Sequence, residues 1–140
     1  PDLAFQTLYV SVAENSSLGN ELKRNLASLG AVQVITDVTQ KPKAQAILDV
    51  LSETREKNVV GVNASGQVRE FQLRVRVNFR LSTPQGAELI PATELLQQRD
   101  ISFNESAVLA KEAEEGLLYR DMQTDIVQQL MRRLAAVKSI

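Results

Sequence analysis

Residues 70–81 alternate polar and apolar positions without a break. Phe71, Leu73, Val75, Val77, Phe79 and Leu81 take one parity; Glu70, Gln72, Arg74, Arg76, Asn78 and Arg80 take the other. Successive side chains of a strand point to opposite faces, so the pattern predicts a strand with one apolar and one charged face. At about 3.3 Å per residue it runs about 40 Å, roughly twice the usual length. An apolar face that long needs cover, and the rest of the chain must supply it.

Residues 5–12 alternate Leu8, Val10 and Val12 with Thr7, Tyr9 and Ser11, which predicts a first strand. Asn15-Ser16-Ser17 then offers side-chain oxygens to the free amides of a first helical turn. Leu18, Leu22, Leu26 and Leu29 follow on one helical face, and Gly30 stops the helix. Residues 31–38 hold a short extended piece around Val32, Val34 or Ile35, and Gln40-Lys41-Pro42-Lys43 is a turn.

Residues 44–60 form a second long strand, and Asn63-Ala64-Ser65-Gly66 turns it back into the opening stretch as a hairpin. A turn centred between Ala64 and Ser65 sets Phe79 against Val50, Leu81 against Leu48 and Thr83 against Ala46. On the other face it sets Arg80 against Asp49 and Arg76 against Glu53. The same register puts Phe71, Leu73 and Val75 opposite Asn58, Glu56 and Thr54. The base of the hairpin therefore reads as core. Its distal half, with Val59, Val60 and Val62 beside the turn, reads as a surface that meets another molecule.

Thr83-Pro84-Gln85-Gly86 leads into a third strand over 89–103, which Pro91 marks as an edge strand. Asn104-Glu105-Ser106 caps a helical stretch over 107–137 with the stripe Leu118, Met122, Ile126, Leu130, Leu134 and Val137, flanked by Leu117, Val127 and Met131. Gly116 predicts a bend separating a short helix, 107–114, from the main one. Unbroken, the stretch would span about 46 Å and cover the hairpin; broken, it would leave the tip bare. The expected fold is α+β, a two-layer sandwich of two helices on one face of a mixed four-stranded sheet with a long protruding hairpin. The strand-helix-strand unit at the start should give a parallel pair. Residues 1–140 read as a single domain.

Composition narrows the function. An apolar fraction of 44% and 24% charged residues describe an ordinary globular chain. The net charge of −1 gives no general attraction to nucleic acid or to an anionic membrane. The absence of Cys and His removes thiol nucleophiles, disulfides, most zinc sites and the commonest general base. No apolar run approaches the ~20 residues of a membrane helix. The chain opens at Pro1 rather than Met, as a processed or trimmed product would.

Among the charged residues, Glu112, Glu114 and Glu115 suit the dipole at a helix start and have no His beside them. The Arg stripe is partly explained by cross-strand acids, but Arg55, Lys57, Arg69 and Arg74 lie toward the tip in excess of them. Arginine grips phosphate well because its fork is planar and always charged. The outer face shows no aromatics for base stacking. No catalytic constellation is present, and no cofactor is expected.

The order and spacing of three stretches resemble the outer-membrane lipopolysaccharide-assembly lipoproteins, the LptE/RlpB family. They are the Leu-spaced helix over 18–30; Gly66-Gln67-Val68-Arg69-Glu70-Phe71-Gln72-Leu73; and Arg99-Asp100-Ile101-Ser102-Phe103-Asn104, continuing through Leu109-Ala110-Lys111-Glu112 to Asp121-Met122 and 129–134. The resemblance implies a non-enzymatic protein, acylated on a Cys upstream of the present chain and held at the periplasmic side of the outer membrane. It implies a role as a plug in an LptD-like β-barrel, helping that barrel fold and binding lipopolysaccharide on its way to the outer leaflet. The alternative is a periplasmic adaptor of similar fold that binds another protein by its sheet edge, without a lipid role.

Members of this family contact lipopolysaccharide through basic residues at the hairpin turn and at the start of the second helix. The helix position matches Lys111, whereas the turn position is Ala64 here, leaving Arg69, Arg55 or Lys57 to substitute. The expected lipopolysaccharide contacts are therefore Lys111, Arg69, Arg55, Lys57 and Arg74. The expected barrel contacts are Val59, Val60, Val62, Phe71 and Leu73.

Overall fold

The computed structural model describes residues 3–140; Pro1 and Asp2, where the expected domain opens, lie outside the described residues. Strand β1 (Thr7–Ser11) leads through helix α1 (Ser17–Ser28) to β2 (Gln33–Ile35). The long strands β3 (Ala46–Val62), β4 (Val68–Ser82) and β5 (Glu88–Ser102) follow, and helix α2 (Val108–Ala135) ends the fold. The sheet order is β2-β1-β3-β4-β5. β1 is parallel to both β2 and β3, while β3, β4 and β5 form an antiparallel meander. Among the described residues the sheet thus has five strands rather than the expected four. The extra strand is β2, whose three residues are too few to show a period, and which is fixed by pairing along β1.

Local chemistry sets the ends of α1 as the sequence predicts. Ser16 Oγ accepts from Gly19 N at 2.9 Å, and Gly30 takes φ +73° after the last turn. Leu18, Leu22 and Leu26 are buried, packing with Leu8 and Val10 of β1 and with the buried face of α2. β4 lies second from the edge of the sheet, and Leu73, Val77, Phe79 and Leu81 have no exposed surface. β5 is an edge strand and carries Pro91, as expected.

Helix α2 is continuous through Gly116, where a bend was expected. A Cβ at Gly116 would meet nothing within 4 Å, so the glycine is not required by packing. Its cost of about 1 kcal/mol relative to Ala is overridden because both flanks are held down. Lys111 Nζ donates to Ser102 Oγ at 2.8 Å on one side, and Tyr119 Oη donates to the Glu56 carbonyl at 3.0 Å on the other. The buried face runs through Tyr119, Met122, Ile126, Val127, Leu130 and Leu134. Leu117, expected beside this stripe, is exposed instead.

The hairpin register is as expected at its base, with Leu48 opposite Leu81, Asp49 opposite Arg80 and Val50 opposite Phe79. A β-bulge then intervenes between Val50 and Ser52, and Leu51 is the extra residue. Because side chains alternate, one extra residue exchanges the faces of everything beyond it. Val75, Leu73 and Phe71 therefore oppose Arg55, Lys57 and Val59, not Thr54, Glu56 and Asn58. Arg76 opposes Thr54 rather than Glu53, and bonds Glu56 at 2.7 Å and Glu94 at 3.0 Å. A second irregularity lies between Val59 and Gly61.

Candidate functional site

The bulge turns two cations of the distal hairpin toward the helix layer. The Arg55 guanidinium stacks 4.9 Å from the Tyr119 ring centroid. Lys57 Nζ lies 4.4 Å from the Phe71 ring centroid and 2.8 Å from Glu115 Oε2 of α2. A face that would otherwise present Thr54, Glu56 and Asn58 to Phe71 and Val75 thus carries long cationic side chains whose stems cover apolar surface.

Beyond Lys57 the elements converge on a small cleft of about 60 Å³. Phe71, Ile101, Phe103 and Val108 supply its apolar lining. Phe71 and Phe103 pack edge to face, centroids 5.5 Å apart and planes at 81°. Lys57 and Lys111 stand at the cleft with Glu112 and Glu115. Asn104 starts this corner, its Oδ1 accepting from Ser106 N at 3.0 Å in the turn before α2. Lys111 is held by Ser102 and by Glu114 Oε1 at 3.1 Å.

The structure brings Lys57 and Lys111 together, on strand and helix, around one aromatic pair. Arg55 lies apart, lining a larger cleft of about 310 Å³ with the start of α1. Arg69 follows the turn and donates to Gln67 Oε1 at 3.1 Å. Arg74 occupies the opposite face of β4 and donates to Gln72 Oε1 at 2.9 Å. That face carries a polar ladder in which Asp49 meets Arg80, Ser52 meets Asn78, and Glu56 and Glu94 both meet Arg76. The hydrogen bond that Arg76 donates to the Glu56 carboxylate is the main cause raising the Arg76 pKa above its ordinary value.

Of the residues expected to meet a partner, Val59, Val60 and Val62 are 53%, 51% and 59% exposed at the hairpin end. Phe71 is half-buried against Phe103 and Lys57. Leu73 is 0% exposed and belongs to the core, so the surface role expected for it is corrected: it packs in the main hydrophobic cluster with α2. Its parity was right; the continuous helix covers farther along the strand than a bent one would.

Tyr119, Phe103 and Glu115 were missed as site residues. Tyr119 sits one position from the expected stripe, and the signal that could have singled it out is the aromatic itself. Burial is the main cause raising its pKa, with the Glu115 carboxylate adding to it and Arg55 and Lys57 opposing. The fold thus favours the neutral phenol. Its contribution is full below the ordinary tyrosine pKa and is lost as pH rises through the higher folded value. Tyr119→Phe is expected to lower stability by about 1 kcal/mol at neutral pH, the worth of one hydrogen bond, in urea unfolding. The same variant should shed part of the alkaline loss; an unchanged midpoint would mean that the bond to Glu56 contributes nothing.

Comparison with known proteins bears on this geometry. Residues 5–134 match the family model described as LptE, lipopolysaccharide-assembly. The chain is similar to the LPS-assembly lipoprotein LptE of Pectobacterium atrosepticum, 25% identical over 132 residues, which are 94% of this chain and 70% of that protein. Its fold is similar to the solution structure of lipoprotein B from Nitrosomonas europaea, with TM-score 0.83, 35% identity, and 96% and 84% of the two chains covered. It is also similar to a minor lipoprotein from Acinetobacter baumannii, with TM-score 0.74, 25% identity, and 96% and 94% covered.

Proposed function

The chain belongs to the LptE lipopolysaccharide-assembly family, and on that premise we propose that it is a non-enzymatic plug and assembly component of an outer-membrane lipopolysaccharide translocon. In this reading residues 1–140 act as one domain seated in an LptD-like β-barrel. Val59, Val60 and Val62 at the hairpin end meet the barrel, and the neighbouring cleft holds part of a lipopolysaccharide molecule. An acylated Cys upstream keeps the full-length protein at the periplasmic side of the outer membrane. No helix among the described residues is long and apolar enough to cross a membrane.

The observation that carries the reading is the pairing of Lys57 and Lys111 around Phe71 and Phe103. Lipopolysaccharide joins phosphate groups to acyl chains, and this corner joins ammonium groups to an apolar lining. The ammonium groups are held by Glu115, Ser102 and Glu114 at the surface, where such pairs are worth little and are exchanged readily for a doubly charged phosphate. Arg69 lies at the same end, beside the turn. Arg55 and Arg74 are proposed as secondary contacts only, since one is stacked on Tyr119 and the other faces the opposite side.

The test is co-expression of the full-length protein with its barrel and purification through a tag on the barrel. A stoichiometric complex that retains lipopolysaccharide is the expected result. A barrel that matures and purifies without this protein would overturn the plug reading. A complex free of lipopolysaccharide, with no binding by the isolated protein, would overturn the ligand reading alone.

A further inference from the structure

Strand β3 is paired along only part of its length. One edge follows β4 throughout, but β1 covers the other edge only from Ala46 to Asp49. From Val50 to Val62 that edge meets no other strand among the described residues. Alternate residues of a strand point N–H and C=O sideways, so this edge offers donors and acceptors unpaired with any strand, although Tyr119 Oη reaches one backbone carbonyl of the stretch, that of Glu56.

Exposed edges are normally blunted by proline, by charged side chains, by β-bulges, by short length or by a covering element. β5, the other long edge, carries Pro91 and the exposed charges Glu94 and Asp100. The free length of β3 is irregular at its two ends but keeps an unbroken register from Ser52 to Val59; it has no proline, and its one lysine, Lys57, is drawn back over Phe71 to Glu115. Its far end is Val59, Val60 and Val62, all exposed. Where β1 turns away, the cleft of about 310 Å³ opens between Glu53, Thr54 and Arg55 and the start of α1. It has room for side chains of an added strand.

We propose that residues 52–62 of β3 take up an extended segment of the barrel protein as an added strand, which rests on the barrel reading above. The charges along 52–62 balance, with Glu53 and Glu56 against Arg55 and Lys57; Glu56 is paired with Arg76, Lys57 with Glu115, and Arg55 stacks on Tyr119. The segment that fits is therefore uncharged along its centre and rich in β-branched apolar residues opposite Val59, Val60 and Val62. A second copy of this chain fits poorly. The antiparallel register that uses the whole edge, centred on Glu56, sets Glu56 against itself and Arg55 against Lys57, and like charges directly opposite are destabilising.

Hydrogen exchange read by mass spectrometry on the full-length protein, free and in its complex with the barrel, decides the matter. In the complex, exchange across 52–62 is expected to slow about tenfold or more at roughly half of its amides, while the outer edge of β5 stays unchanged. A complex that forms with no slowing over 52–62 overturns the added strand and leaves the barrel reading standing. Failure to form any complex overturns both. A free protein that is dimeric with 52–62 already slow makes a second copy the occupant and overturns the proposal.

Discussion

Val60→Asp combined with Val62→Asp is expected to reduce recovery of the barrel complex by about tenfold or more, a loss of at least about 1.4 kcal/mol. Both valines are more than half exposed in the free protein, so the substitutions remove little of its own core. In the complex, each carboxylate would have to leave water for an apolar contact with no partner, which costs several kcal/mol. The free double variant should melt within a few degrees of wild type, since only strand propensity is lost. Wild-type recovery of the complex by the folded variant would remove the hairpin end from the contact. A variant that also melts far below wild type would show the valines to be structural.

Lys57→Glu combined with Lys111→Glu is expected to weaken lipopolysaccharide binding about tenfold or more, measured on the isolated protein by titration at fixed salt. Two cations become two anions at one cleft that also holds Glu112 and Glu115, so a phosphate would meet four carboxylates. The effect should shrink as salt rises, because the cleft is open to solvent. Arg80→Glu serves as control. It also reverses an exposed charge, but it lies at the base of the hairpin opposite Asp49 and should leave binding unchanged. A loss in the control about half as large on a logarithmic scale would mean that net charge alone is being read. Equal affinities of wild type and the lysine variant would remove the cleft from the site.

The two predictions probe adjacent surfaces by different physics. The valines act by excluding water, so their loss is felt at every salt concentration. The lysines act through charge, so their loss is felt most at low salt. If lipopolysaccharide and barrel contacts are separable, each variant should spare the other's readout.

Much of this was legible in the residues. The uninterrupted alternation over 70–81 fixes the parity of β4, because a one-residue slip would bury Arg74, Arg76 and Arg80. Ser16 and Gly30 fix the ends of α1 through local hydrogen bonding and a positive φ. Pro91 fixes β5 as an edge because it cannot donate to a ladder. Each of these is decided by neighbours in sequence or by one residue's own chemistry.

Tertiary structure alone decided the rest. Leu51 carries no mark of a bulge. It is extruded because Leu48 and Val50 must stay opposite Leu81 and Phe79, while Arg55 and Lys57 beyond it find Tyr119 and Glu115 on the helix. Gly116 reads locally as a break, yet contacts on both flanks outweigh its propensity and carry α2 on, so Leu73 is covered. The cleft at Lys57 and Lys111 exists only because of both decisions. It joins residues more than 50 positions apart whose sides of the sheet were settled by a bulge and a straight helix, neither of which a local pattern contains.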